Sequence, residues 1–325
     1  MSGRGLGFTG GTVDKLESIP GYRTNISVDE FIKYVQKSGI SLIGQTLNLA
    51  PADKKIYALR DAINCVDNKN LIASSIMSKK IASGASKLVL DVTVGSGAFM
   101  QNKKEAQELA QIMKKIGELA NKETVCVLTS MEEPLGKFIG NNLEIIEAVK
   151  ALNGKMQKDV QEVITTIGAY MIKLAGRGEN IEENKQKILE QIKNKNAYNK
   201  FIELVNNQGG DIEYIKDTNK FNNAKYIIEV VSTQNGFIKK ADARKIGQLS
   251  VKLGAGRMKK EDKIDYSAGI LLNKKIGDFV EEGEALAFIH TNKQEIIEEA
   301  KNDLILAYEI TKEKVEKPTT IIEVI

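Results

Sequence analysis

Histidine is almost missing from this chain, and its scarcity is the first constraint. An imidazole-based metal centre or a Ser-His-Asp triad would have to use the single histidine, His290. It sits in Ile289-His290-Thr291, among strand-like residues, and reads as an ordinary partly buried side chain. Cysteine is nearly as rare. Cys65 and Cys126 cannot make a disulfide framework, which fits a reducing cytosol. No apolar run approaches the roughly 20 residues of a membrane span, and there is no basic start, apolar run and cleavage site of a secretory leader. Charge of one sign is also in short supply. The net charge is only +4, with acids and bases interspersed and no basic-aromatic clusters, so the chain offers no nucleic-acid surface.

What remains is ample for a globular protein. The chain has 325 residues, 42% of them hydrophobic and 28% charged, enough for one large or two medium domains. Ser27-x-x-Glu30 is a capping box, so a helix starts near 28. Pro51-Ala-Asp53 opens a second helix, and residues 72–83 read as a third. The Val-rich run Lys87 to Val94 is a buried strand that ends in Gly-Ser-Gly. Residues 104–121 are helical by period, Thr124 to Thr129 is another buried strand, and 138–151 is the next helix. Strands alternating with helices imply βαβ units and a mostly parallel sheet. Residues 157–206 are helix-rich. From Gly236 the pattern changes to short strands and turns. Gly277-Asp278-x-Val-x-x-Gly283-Glu284-x-Leu286 is a hairpin signature of the kind found in biotinyl and lipoyl carriers. No attachment lysine is clearly placed, which favours a structural β-module.

Three stretches could carry chemistry. Gly5-x-Gly7-x-x-Gly10 matches the dinucleotide fingerprint literally, but that motif needs a strand before it, and none precedes it here. Ser75 and Lys79, four apart on a helix, share one face. If the preceding helix packs as a hairpin against theirs, Arg60 can join them. A guanidinium, an ammonium and a hydroxyl suit a small ligand with several carbonyl oxygens; spacing alone equally permits two solvated helix surfaces. Gly95-Ser-Gly97 follows a strand, where a ligand can approach the backbone and Phe99 could stack on a ring. A tight strand-to-helix turn is the alternative.

Read together, the longer motifs resemble the thymidine/pyrimidine-nucleoside phosphorylases. They are Ser2-Gly-Arg-Gly-Leu-Gly7, Thr9-Gly-Gly-Thr12-x-Asp-Lys-Leu-Glu-Ser18, Tyr57-Ala-Leu-Arg-Asp61, Ser75-Ile-Met-Ser-Lys-Lys80, Leu90-Asp-Val-x-Val-Gly-Ser-Gly-Ala-Phe-Met100 and Pro134-Leu-Gly136. Gln208-Gly-Gly-Asp211, Gly254-Ala-Gly-Arg257 and the Gly277-to-Leu286 hairpin continue the series. The resemblance covers essentially the whole chain.

The resemblance implies an α/β fold. It would have a mixed, mostly parallel sheet with flanking helices, a remnant of a small helical domain and a C-terminal β-rich, barrel-sandwich-like module. The divisions would fall at 1–51, 52–83, 84–235 and 236–325. It implies phosphorolysis of thymidine or uridine to free base and pentose 1-phosphate in nucleoside salvage, with inorganic phosphate as co-substrate and no organic cofactor. Arg60, Ser75 and Lys79 would hold the base, with Arg60 and Lys79 catalytic, and Phe99 would line the pocket. The site would be the cleft between the 52–82 helices and the strand turns. Ser2, Thr12 and the backbone of Met1 would bind phosphate. The carbonyls of Leu135 and Phe138 with the Glu147 carboxylate would hold part of a potassium site, since oxygen ligands suit a hard cation.

In the family a longer N-terminal part precedes the glycine stretch. It carries a phosphate loop, most of the small helical domain and the surface of a homodimer. The expectation is therefore a truncated or split member, and the alternative is a non-catalytic binding subunit completed by a separate N-terminal chain. The helices near 30–40 and 52–82 should then expose apolar surface. Four departures stand out. Phe8 replaces a usual His, Thr93 a usual Lys and Phe138 a small residue, and Asn64 to Asn70 departs from the usual wording.

Overall fold

The computed structural model describes residues 2–5, 7–44, 50–62, 68–259 and 262–325. Met1, Cys65 and residues 64–67 of the Asn64–Asn70 stretch lie outside them. In chain order the elements begin with helices α1 (Thr12–Glu17), α2 (Val28–Ser38), α3 (Pro51–Ala62) and α4 (Lys69–Ala82). Then come β1 (Lys87–Val94), α5 (Lys103–Leu119), β2 (Glu123–Ser130), β3 (Phe138–Ile139) and α6 (Asn141–Leu152). Helices α7 (Lys158–Leu174), α8 (Ile181–Lys193), α9 (Asn196–Asn207) and α10 (Glu213–Lys216) follow. The chain closes with β4 (Tyr226–Val231), β5 (Gly236–Ala241), α11 (Ala243–Ser250), β6 (Gly269–Leu272), β7 (Phe279–Val280), β8 (Ala285–Thr291), α12 (Ile297–Ile305), β9 (Tyr308–Thr311) and β10 (Ile321–Val324). The fold is mixed α/β with a β-rich C-terminal region, as the sequence implies. No helix of the described residues is long and apolar enough to cross a membrane.

Contacts divide the chain into two compact units, 1–44 with 132–160 and 191–318, and 45–131 with 161–190 and 319–325. The second unit holds the mixed sheet, in the order β1-β2-β10. β1 runs parallel to β2 with Leu88 opposite Thr124 and Val92 opposite Leu128, and β10 joins antiparallel on the other side. The central strand β2 buries Cys126, Val127 and Leu128 completely, whereas the edge strand β1 buries alternate residues only. Ile72 and Met77 of α4 and Leu109 and Met113 of α5 complete this core with Leu88, Leu90 and Val92. Asn102 caps α5 by accepting the Glu105 amide at 3.0 Å. Burial pushes the Cys126 thiol up to about 11.

The first unit has two antiparallel sheets, β3-β6-β8-β4 and β7-β5-β9. They share a core of Ile238, Leu253, Ile270, Leu272, Leu286 and Ile289. His290 lies in β8 opposite Gly269 and Ile227, buried, with no hydrogen-bond partner at Nε2. A second core joins Leu16, Ile19 and Tyr22 to Ile145, Val149, Val205 and Ile215. Gln208, fully buried, ties this region together. Its Oε1 accepts the Leu42 amide at 2.8 Å and the Ser41 hydroxyl at 3.1 Å, and its Nε2 donates to the carbonyls of Arg23 and Leu42 at 2.7 Å.

Several boundaries differ from those read from sequence. α4 starts at Lys69, not 72, because Asn68 accepts the amides of Asn70 and Leu71 and caps it three residues earlier. The helix expected over 138–151 begins only at Asn141. Residues 138–139 are instead a short strand, and Gly140 separates the two at φ 136, a conformation that favours glycine. The C-terminal strands begin at Tyr226, ahead of Gly236. On α2, Val28, Ile32 and Val35 form an exposed apolar stripe, and Ile56 and Leu59 of α3 are exposed as well.

Candidate functional site

The hairpin of α3 and α4 in the second unit carries three of the expected base-binding residues. Arg60, at the end of α3, is buried, and its Nη1 donates to the Leu71 carbonyl of α4 at 3.1 Å. Ser75 is buried on α4. One turn on, Lys79 Nζ donates to Ser75 Oγ at 2.8 Å and to the Ser75 carbonyl at 3.1 Å. The same ammonium pairs with Asp53 of α3 at 2.6 Å. The ammonium thus donates to a hydroxyl and a carbonyl and lies in ion-pair contact with a carboxylate. The sequence places Ser75 and Lys79 on one face but does not reveal Asp53, whose pairing depends on how two helices cross.

Phe99 stands beyond the carboxyl end of β1, half exposed, in a turn held by backbone bonds from Ala98 to Gly95 at 2.9 Å and from Gly97 to Met131 at 2.9 Å. Gly95 takes φ 122 there. Thr93 pairs with Thr129 across the β1–β2 ladder.

The residues assigned to phosphate and to a cation lie in the first unit. Ser2 donates its amide to the Ile43 carbonyl at 3.0 Å, and Thr12 opens the short helix α1. The Val13 amide donates to Gly3 at 3.2 Å and the Gly5 amide to Asp14 Oδ2 at 2.7 Å, which folds the glycine stretch back against α1. Glycine is required for this approach: a Cβ on Gly11 would lie 2.0 Å from the Gly5 nitrogen. Asp14 is buried between Arg4 at 2.8 Å and Arg257 at 3.3 Å. A shallow recess opens beside the stretch, lined by Gly5, Thr9, Gly11, Asn141 and Arg257 among others. Neither Ser2 nor Thr12 lines it. Phe8 stacks against the Arg244 guanidinium at 5.2 Å.

Glu147 of α6 accepts the Lys137 amide at 2.9 Å and the Phe138 amide, which brings its carboxylate to the segment carrying Leu135 and Phe138. Burial lifts Glu147 above the usual carboxylate range despite these amides. It forms no ion pair among the described residues. Space beside it is tight, since a Cβ on Gly136 would lie 2.5 Å from Glu147 Oε2. Glu147 is half-buried and has no ion-pair partner among the described residues, so a cation with oxygen ligands fits this donor set. No three His, Cys, Asp or Glu side chains group as metal ligands among the described residues. The Phe138 ring itself lies under Lys150 Nζ at 4.6 Å.

Behind that segment lies a group the sequence does not disclose. Lys275, buried, donates to the Pro134 carbonyl at 2.9 Å and pairs with Asp159, and Glu133 lies 3.4 Å away. Burial pushes Asp159 up, but Lys275 and the amides of Gly136 and Val160 outweigh it, so Asp159 stays below its ordinary value. For Glu133, farther from the ammonium, burial prevails and its value rises.

Known proteins place this arrangement. Residues 1–198 match the family described as glycosyl transferase family, a/b domain, and residues 237–311 match the pyrimidine nucleoside phosphorylase C-terminal domain. Pyrimidine-nucleoside phosphorylases of Staphylococcus haemolyticus and Staphylococcus epidermidis are each 48% identical to this chain over 296 residues, which is 91% of this chain and 68% of the relative. That of Staphylococcus aureus is 47% identical over the same span.

Proposed function

Because this chain belongs to the pyrimidine-nucleoside phosphorylase family, pentosyltransferases that pass a pentose from a pyrimidine to phosphate, we propose that its α3–α4 hairpin binds the base. The observation that carries this is the hairpin itself, in which Arg60 of α3 donates to the Leu71 carbonyl of α4 and, on the next turns of α4, Lys79 donates to Ser75. As phosphate attacks the anomeric carbon, the bond to the base breaks and its electron pair leaves with the ring. Negative charge spreads over the ring oxygens. Lys79 and Arg60 are fixed cations for that charge, which is electrostatic catalysis in which the donors are in place before the charge develops. Lys79 would exchange its bond to Ser75 for one to the base, with Asp53 keeping it aimed. Phe99 offers a ring face to the pyrimidine.

Ser2 and Thr12 are assigned to phosphate, together with Met1, which lies outside the described residues. Potassium would be held by the carbonyls of Leu135 and Phe138 and by Glu147. When bound, it would supply positive charge that compensates the half-buried carboxylate.

The direct test is incubation of the purified protein with uridine or thymidine, phosphate and potassium, with chromatography of the free base. Base release that depends on phosphate, with pentose 1-phosphate formed in equal amount, is the expected result. Release that is independent of phosphate would make the protein a hydrolase and overturn the reading.

A further inference from the structure

Lys275 sits in the turn between β6 and β7, 116 residues from Asp159. That turn is itself braced: the Lys275 amide donates to Asp278 Oδ2 at 3.0 Å and Gly277 takes φ 87. From there the side chain reaches the 133–136 segment. It covers the Pro134 carbonyl, holds Asp159 and approaches Glu133. Glu133 answers by accepting the Ile276 amide at 2.7 Å. Asp159 in turn accepts the Gly136 amide at 3.0 Å.

The last bond matters because of peptide geometry. The Gly136 N–H and the Leu135 C=O belong to one planar peptide unit, and there is no cis bond in the described chain. In a trans unit the N–H and C=O point in opposite directions. Fixing the Gly136 N–H on Asp159 therefore aims the Leu135 carbonyl away from Asp159. The next amide along, that of Lys137, is fixed on Glu147. Glu133 and Asp159 both lie within ion-pair reach of the Lys275 ammonium.

We infer that Lys275, acting through Asp159, is the positioning residue of the potassium site, aiming the Leu135 carbonyl at the ion without touching it. The inference rests on the assignment of potassium to Leu135, Phe138 and Glu147.

The test is a potassium titration followed by thermal melting, at constant ionic strength set with a tetraalkylammonium salt, on the wild type, Lys275→Met, Lys275→Arg and Asp159→Asn. Phosphorolysis is measured alongside. The wild type should gain a saturable rise in melting temperature with potassium. Lys275→Met should need about 10- to 100-fold more potassium for half the effect, the range typical of lost outer-shell partners. Lys275→Arg, which keeps the charge, should recover part of the loss. If Lys275→Met does not fold, Asp159→Asn reads the same tie and should show the same rightward shift. A variant that is merely less stable would melt lower with an unchanged potassium midpoint, and that result overturns the inference alone. A wild type with no potassium-specific stabilisation overturns the cation assignment and the inference with it.

Discussion

His290 illustrates how much one side chain can carry at the residue scale. Burial holds its imidazole below the ordinary value, so the unfolded chain takes up the proton first as pH falls. Stability due to neutral His290 is therefore complete above the unfolded value and declines as pH drops below about 6.5. Melting temperatures recorded from about pH 7.5 to 5 should fall more steeply for the wild type than for His290→Gln. Equal slopes would show that another group governs this range. The histidine was legible as a strand residue without a catalytic partner. Its unpartnered nitrogen was not, because that depends on neighbouring strands β4 and β6 brought in from elsewhere. The same holds for the site. Ser75 and Lys79 are four apart, so helix geometry alone pairs them. Asp53 and Lys275 are joined to their partners by tertiary packing, which leaves no periodic trace in sequence.

At the scale of elements, the glycine stretch and the β-sheet helix α5 make separate claims. Gly11 packs against the Arg4 and Gly5 backbone, so Gly11→Ala forces the chain apart. It should destabilise by roughly 1–3 kcal/mol, as overpacking does, and loosen the Asp14 bond to the Gly5 amide; an unchanged melting temperature would contradict this packing. Asn102→Ala removes the α5 cap and should cost about 1 kcal/mol, while Leu128→Ala, in the centre of the mixed sheet, should cost about 2–5 kcal/mol. Denaturant melts rank the two. Capping signals such as Ser27-x-x-Glu30 were readable directly, and the structure shows both of its hydrogen bonds. The cap at Asn68 was missed because it falls inside a stretch whose wording departs from the family. The strand at 138–139 was missed because two residues give no period.

At the scale of the whole molecule, the sequence motifs divide between two compact units. The second holds Arg60, Ser75, Lys79 and Phe99; the first holds Ser2, Thr12, Leu135, Phe138 and Glu147. The proposed function turns on the cations of the α3–α4 hairpin stabilising the departing pyrimidine. Turnover of uridine with saturating phosphate tests it most directly, with wild type and Lys79→Ala compared after circular dichroism confirms that both are folded. The kcat of the variant should fall by roughly 10²- to 10³-fold, the usual loss for one preorganised donor. An unchanged kcat in folded Lys79→Ala would contradict it.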